Sequence, residues 1–252
     1  MILSSIVIGK GPVLIILHGL FGEGRNWMGI AKELQSNFEI HLIDQRNHGN
    51  SFHDPKHHYL ILADDLNNYI EQKNIKKFSI IGHSMGGKVA MSFSLLYPTN
   101  LDKLIIVDIA PKSYRDNYAK IFLGLREVLL KSTSRKDAVL LLNNHIDDIV
   151  ITNFLLKGFF FDQNNGPSFK FNINSLELNI GRMLSFLATN NTFNNLVYFI
   201  LGSESDYVKN TDTRYISKFF PCHEIIQIPN AGHWVHFDQK EYFLSTINKI
   251  LK

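Results

Sequence analysis

The chain has 252 residues, 26 of them basic and 23 acidic, for a net charge of +3; 45% are hydrophobic, 12% aromatic and 19% charged. That balance excludes a disordered chain and predicts a packed core, in one domain with a sizeable insertion. No Lys/Arg run exceeds two residues, so there is no basic stripe to track a phosphate backbone, and nucleic acid is not expected as a partner.

Residues 1–8 lack the charged start of a signal peptide, and no apolar stretch is long enough for a membrane span, so a soluble, cytoplasmic chain is expected. Val13–Leu17 and residues 38–43, 78–81 and 104–107 read as buried strands, because central parallel strands are apolar on both faces. Helices are expected between them at 26–36, 59–73 and 85–97. The alternation predicts a mostly parallel sheet with helices on both faces.

After Pro111 the rhythm changes, and residues 112–195 read as a mainly helical cap with polar joints at 143–144 and 163–167. Two apolar runs there, 139–142 and 158–161, are expected to form the cap's own core, with one or two aromatic residues reaching the pocket. The strand pattern returns at 196–201 and 224–228, and a helix at 239–251 closes the chain. The core is thus expected at 1–111 and 196–252. Cys222, the sole cysteine, excludes an intramolecular disulfide and is expected to be a small buried hydrophobe.

The strongest chemical signal is Gly82-His83-Ser84-Met85-Gly86-Gly87, a G-x-S-x-G motif directly after one apolar strand and directly before a helical pattern. In such a tight strand-to-helix turn, the positions two residues either side of the serine have no room for a side chain, and the serine is held in a strained conformation that exposes its hydroxyl. A hydroxyl is a weak nucleophile until a base takes its proton. Of the 11 histidines, His233 lies in a loop just after the last apolar strand, where a parallel sheet delivers residues to the same edge as Ser84. His53, His57 and His58 lack further ligands at metal-binding spacing, while His18, His48 and His83 sit in glycine-rich turns and read as structural or pocket-wall residues. Acyl chemistry also needs donors for an oxyanion. The turn His18-Gly19-Leu20-Phe21-Gly22 offers the Leu20 amide, and the first helical residue after the serine offers that of Met85.

These motifs, with Asp44-Gln45-Arg46-Asn47-His48-Gly49-Asn50-Ser51, Val107-Asp108-Ile109-Ala110-Pro111 and Asn230-Ala231-Gly232-His233-Trp234-Val235-His236, resemble the α/β-hydrolases over the whole chain. Within them the chain is similar to the YbfF-type bacterial esterases and their eukaryotic abhydrolase relatives. Arg46-Asn47 is the most discriminating element, since most relatives carry Arg-Gly there. The resemblance implies hydrolysis of carboxylic esters, extending to acyl-CoA thioesters, under a helical cap and without cofactor or metal. Phe21, His83 and Trp234 are expected to contact the substrate.

For the acid that orients His233, Asp206 comes one residue too late after Gly202 for the common Gly-x-x-Asp pattern, whose place Ser205 holds. Asp108 ends the strand at 104–107, resembles the Val-Asp-Ile element of the family and keeps the order Ser84, Asp108, His233. Asp108 is therefore the expected acid, with Asp206 as the alternative. Arg46, Asp64 and Asp65 are read as loop-holding residues. A serine-based C–C bond hydrolase, a cofactor-free haloperoxidase and a non-catalytic binding protein on the same fold remain alternatives; an aspartate nucleophile, as in haloalkane dehalogenases and epoxide hydrolases, does not.

Overall fold

Short β-branched runs such as Val-Leu-Ile-Ile-Leu have side chains on both faces that only a sheet covered by helices can bury, and the computed structural model shows that arrangement. It describes residues 1–164 and 166–252; Asn165, within the polar joint at 163–167, lies outside the described residues. The strands are β1 (Ser5–Ile8), β2 (Val13–Leu17), β3 (Glu39–Ile43), β4 (Phe78–His83), β5 (Leu101–Val107), β6 (Phe159–Asp162), β7 (Gly166–Phe169), β8 (Val197–Gly202) and β9 (His223–Ile228). The helices are α1 (Met28–Leu34), α2 (Tyr59–Gln72), α3 (Met85–Leu96), α4 (Ala119–Lys131), α5 (Arg135–Asn143), α6 (Ile149–Lys157), α7 (Ile173–Leu184), α8 (Thr213–Phe219), α9 (Val235–Asp238) and α10 (Lys240–Ile250).

Seven strands form one sheet in the order β1-β3-β2-β4-β5-β8-β9, parallel throughout except for β1, which pairs antiparallel with β3 at the edge. Alternation along β2 divides the core. Ile15 and Leu17 pack with α2 and α3 on one face, while Leu14 and Ile16 pack with α1 and α10 on the other. All four side chains are fully buried, so truncating any of them to alanine leaves a cavity costing about 2–5 kcal/mol.

Between β5 and β8 lie α4 to α7 and a separate hairpin of β6 and β7, with a third apolar cluster that includes Phe122, Leu142, Phe159 and Phe171. The hairpin corrects the helical reading of this stretch: Phe159 turns inward and is buried, while Phe160 and Phe161 are exposed. Cys222 also departs from expectation, being exposed just before β9, the half-covered edge strand of the sheet. Among the described residues no helix is long and apolar enough to cross a membrane.

Candidate active site

Every parallel strand runs toward one edge of the sheet, so the loops after β2, β4, β5, β8 and β9 converge there. After β4 the chain turns directly into α3. Ser84 is the turning residue, with φ 53° and ψ −118°, a region L-residues avoid. The close approach explains the flanking glycines: a Cβ on Gly86 would stand 2.6 Å from the His18 carbonyl oxygen, and one on Gly82 would stand 2.8 Å from the Gly87 Cα. Neither contact is sterically possible.

A cavity of about 600 Å³ opens over this turn, a size typical of sites for small organic ligands. Ser84 and Met85 from the α3 turn, Leu20 and Phe21 from the loop after β2, His83 from β4, and His233 and Trp234 from the loop after β9 all line it. The sequence-predicted residues are thus brought together, apart from Asp108, which stands behind the cavity wall. Asp108 is fully buried, with φ 51°. Its Oδ2 accepts the Nδ1–H of His233 at 2.7 Å and the hydroxyl of Ser205, and its Oδ1 accepts the Gly202 amide at 3.2 Å. A ring that donates from Nδ1 has Nε2 as its remaining hydrogen-bonding atom. Asp206 has a nearly fully exposed side chain at the cavity rim, 3.6 Å from Lys209 Nζ.

Two aromatic rings lie against that of His233. Tyr207 stacks on it at 3.6 Å between ring centroids with a 12° interplanar angle, and His83 lies at 4.7 Å. Burial pushes the His83 imidazole well below its ordinary pKa, so the ring stays neutral, and its Nε2–H donates to the His233 carbonyl at 2.9 Å. His83 therefore both lines the cavity and fixes the loop that carries His233. The loop after β2 makes a turn closed by the Gly22 amide on the Gly19 carbonyl at 3.0 Å, with Phe21 at φ 63°. Among the described residues the Leu20 amide has no acceptor within the chain, and the first-turn amide of Met85 has none within its helix.

The rest of the wall comes from residues the sequence did not single out. Tyr118 and Ile121 of the α4 region, Ile151 and Phe154 of α6, and Ile180 and Met183 of α7 supply an apolar lining. The expectation that an aromatic residue from 158–161 reaches the pocket is not met: Phe159 packs against Phe169, and neither that run nor 139–142 lines the cavity. The aromatic α6 residue that does is Phe154, beside Trp234. Apolar residues ring most of α6, with Ile149 and Val150 exposed and Thr152 buried, so nothing local tells which of its residues meet a cavity.

Lys88, one turn after Ser84 on α3, directly follows the glycine motif, and the sequence assigns it no role. It is buried, its ammonium donates to the carbonyls of Leu184 and Ser185 at 3.0 and 2.5 Å, and it lies 4.7 Å from the Tyr114 ring centroid. Desolvation, helped by Lys112, lowers its pKa to about 7. With Tyr59, whose hydroxyl donates to the Met183 carbonyl at 2.6 Å, it ties the end of α7 to the layer that carries Ser84. Arg46 pairs with Asp65, Nη2 to Oδ1 at 2.7 Å, and Asp64 accepts the Tyr97 hydroxyl at 2.6 Å. No group of three or more His, Cys, Asp or Glu is placed to hold a metal ion among the described residues.

Residues 12–240 match the α/β-hydrolase-fold family. A putative esterase/lipase of Haemophilus influenzae is 36% identical over 95% of this chain and 83% of its own length. The sn-1-specific diacylglycerol lipase ABHD11 of Danio rerio is 34% identical over 97% and 80% of the two chains, and the esterase YbfF of Escherichia coli 30% over 94% and 92%. Among solved structures, a marine microorganism esterase superposes with a TM-score of 0.95 at 36% identity, covering 99% of both chains. With the elbow turn, the parallel sheet and relatives named as esterases and lipases in agreement over nearly the whole length, the chain belongs to the α/β-hydrolase family.

Proposed function

We propose that this chain is a serine esterase that hydrolyses carboxylic esters or acyl thioesters of small molecules through an acyl-enzyme, with Ser84 as nucleophile, His233 as general base and acid, and Asp108 as the orienting acid. The observation that carries the reading is the 2.7 Å bond from His233 Nδ1 to the buried Asp108 carboxylate, behind a cavity that His233 shares with Ser84. It leaves Nε2 free to take the Ser84 proton as Oγ attacks the acyl carbon. The carbonyl oxygen becomes an oxyanion that the Leu20 and Met85 amides stabilise. As the C–O or C–S bond breaks, the imidazolium returns the proton to the departing alcohol or thiol. Water then repeats the sequence on the acyl-Ser84 ester, giving the acid and free enzyme.

In this reading residues 1–111 and 196–252 form the catalytic core and 112–195 the cap, whose lining from Tyr118, Phe154 and Met183 takes the apolar acyl chain alongside Phe21 and Trp234. The relatives' names favour ester cleavage, and the apolar wall fits either leaving group. A series of p-nitrophenyl esters of increasing chain length, assayed beside acyl-CoA thioesters, tests it together with fluorophosphonate labelling. Hydrolysis and labelling that both disappear in Ser84→Ala are expected. An unlabelled wild type with no hydrolytic activity on either series would overturn the reading.

A further inference from the structure

Two histidines that take no part in the proton transfers bridge the loop after β2 and the loop after β3. His18, in the first loop, donates from Nδ1 to the Gly19 carbonyl at 2.8 Å, so its Nε2 accepts, and it accepts the Gln45 amide of the second loop at 3.1 Å. His48, in the second loop, donates from Nδ1 to the Arg46 carbonyl at 3.0 Å, and its Nε2 accepts the Phe21 amide of the first loop at 3.2 Å. Each ring thus uses its lower nitrogen to brace its own loop and the other to hold an amide of the opposite loop. The rings meet edge to face at 5.1 Å, and both are buried. Burial lowers the pKa of each imidazole, which keeps both rings neutral and able to accept.

The Phe21 amide held by His48 adjoins Leu20, and Phe21 itself is in the left-handed region at φ 63°, a strained conformation for a residue of this kind that persists only where its surroundings hold it. A fixed acceptor on the Phe21 N–H is such a restraint. Held there, Phe21 restrains the adjoining Gly19–Leu20 peptide, whose Leu20 N–H has no acceptor among the described residues, and Leu20 lines the cavity beside Ser84. The second loop is itself anchored. Asp44 accepts the Gly24 and Asn50 amides at 2.7 and 2.9 Å, and buried Asn47 receives the Asn172 amide on its carbonyl at 2.9 Å and donates to Ser175 Oγ at 3.0 Å. His48 therefore connects the turn beside Ser84 to a loop that is fastened to the N-terminal end of α7.

We propose that His18 and His48 form a reciprocal latch in which His48 is a positioning residue, holding the Phe21 peptide so that the Leu20 amide stays aimed at the developing oxyanion. This rests on the serine-esterase reading and adds to it a role for the histidine of the Arg-Asn-His-Gly element. The prediction separates acceptor chemistry from packing, because glutamine places an oxygen near the position of Nε2 whereas leucine fills similar space with no acceptor.

The test measures kcat and KM on p-nitrophenyl butyrate for the wild type, His48→Gln and His48→Leu, with thermal unfolding of each. His48→Leu should lose about ten- to a hundredfold in kcat, somewhat less than deleting an oxyanion donor outright, with KM within about twofold of wild type. His48→Gln should recover most of the loss. If His48→Leu does not fold, His48→Asn replaces it, since it can still donate to the Arg46 carbonyl but withdraws the acceptor from Phe21, and it should be as impaired. Equal losses in the glutamine and leucine variants, a folded leucine or asparagine variant with normal kcat, or a change confined to KM would overturn the proposal. A wild type that neither turns over the ester nor takes a fluorophosphonate would instead overturn the serine-esterase reading itself.

Discussion

The loops after β5 and β8 lie side by side at the same edge of the sheet, and each carries an aspartate, but the two carboxylates live in different worlds. Asp108 is fully buried and receives bonds from His233, Ser205 and the Gly202 amide, whereas the Asp206 side chain is 96% exposed with one loose lysine neighbour. The β8 loop supplies not a carboxylate but two donors to the carboxylate of the β5 loop. A buried carboxylate is tolerable only when its oxygens are hydrogen-bonded, and once so held it keeps the ring it touches in one orientation and one tautomer. A solvated carboxylate that is free to rotate does neither. In the proposed mechanism the donors converging on a carboxylate are thus a better guide to the acid than its position after a strand.

The floor for any test of that contrast is Ser84→Ala, which should lower kcat at least about a thousandfold without altering the circular dichroism spectrum, because the side chain sits at a turn. Retained activity would remove the meaning of both carboxylates. Against that floor the contrast can be sharpened by moving the acid. In Asp108→Asn/Ser205→Asp the carboxylate enters from the β8 loop, at the position whose hydroxyl now touches Asp108, and kcat should rise about tenfold above Asp108→Asn alone. A double variant no better than the single one would mean that the β8 loop cannot direct a carboxylate at His233. Smaller again is Ser205→Ala. It removes one of three bonds to Asp108 and should reduce kcat about three- to tenfold, since His233 and the Gly202 amide still hold the carboxylate. An unchanged rate would make Ser205 a bystander.

A fourth prediction concerns the junction at Lys88, whose pKa falls from 10.5 to about 7 on burial. Between those values the unfolded chain binds more protons at this residue than the folded one, so its contribution makes stability rise with pH from about 7 toward 10. In urea titrations at pH 7 and 9, Lys88→Met should flatten that rise relative to the wild type. Parallel pH dependences in the two proteins would show that Lys88 titrates in the folded state as it does in water.

Much of the β5 side of the contrast was legible in the sequence and little of the β8 side. Continuous apolar runs are legible because central parallel strands bury both faces; Val13–Leu17 matched to the residue, and the strand-turn-helix around Ser84 was identifiable because tight turns leave only glycine a place. The reading of Ser205 as occupying the acid's usual place was correct as counting, but its bond to Asp108 depends on how two loops distant in sequence meet. The edge strand Ser5–Ile8 escaped notice because four residues with one exposed face carry too little periodicity. Phe159–Asp162 reads as part of a helical stretch because a short aromatic run has no diagnostic period, and its partner strand contains a proline and a glycine. Residue type alone predicts a buried Cys222, whereas the sheet edge leaves it in solvent. The cavity wall from Tyr118, Phe154 and Tyr207 is a product of tertiary packing with no local signature.

Whether Asp108 or Asp206 orients His233 is decided by kcat for Asp108→Asn and Asp206→Asn measured side by side on one ester. Asp108→Asn should lose kcat by a factor approaching about 10⁴, as for the equivalent change in a serine protease, because an amide in that place favours the wrong tautomer of the imidazole. Asp206→Asn should stay within about twofold of wild type, as expected for an exposed and weakly paired charge. A near-normal Asp108→Asn beside a crippled Asp206→Asn would make Asp206 the orienting acid.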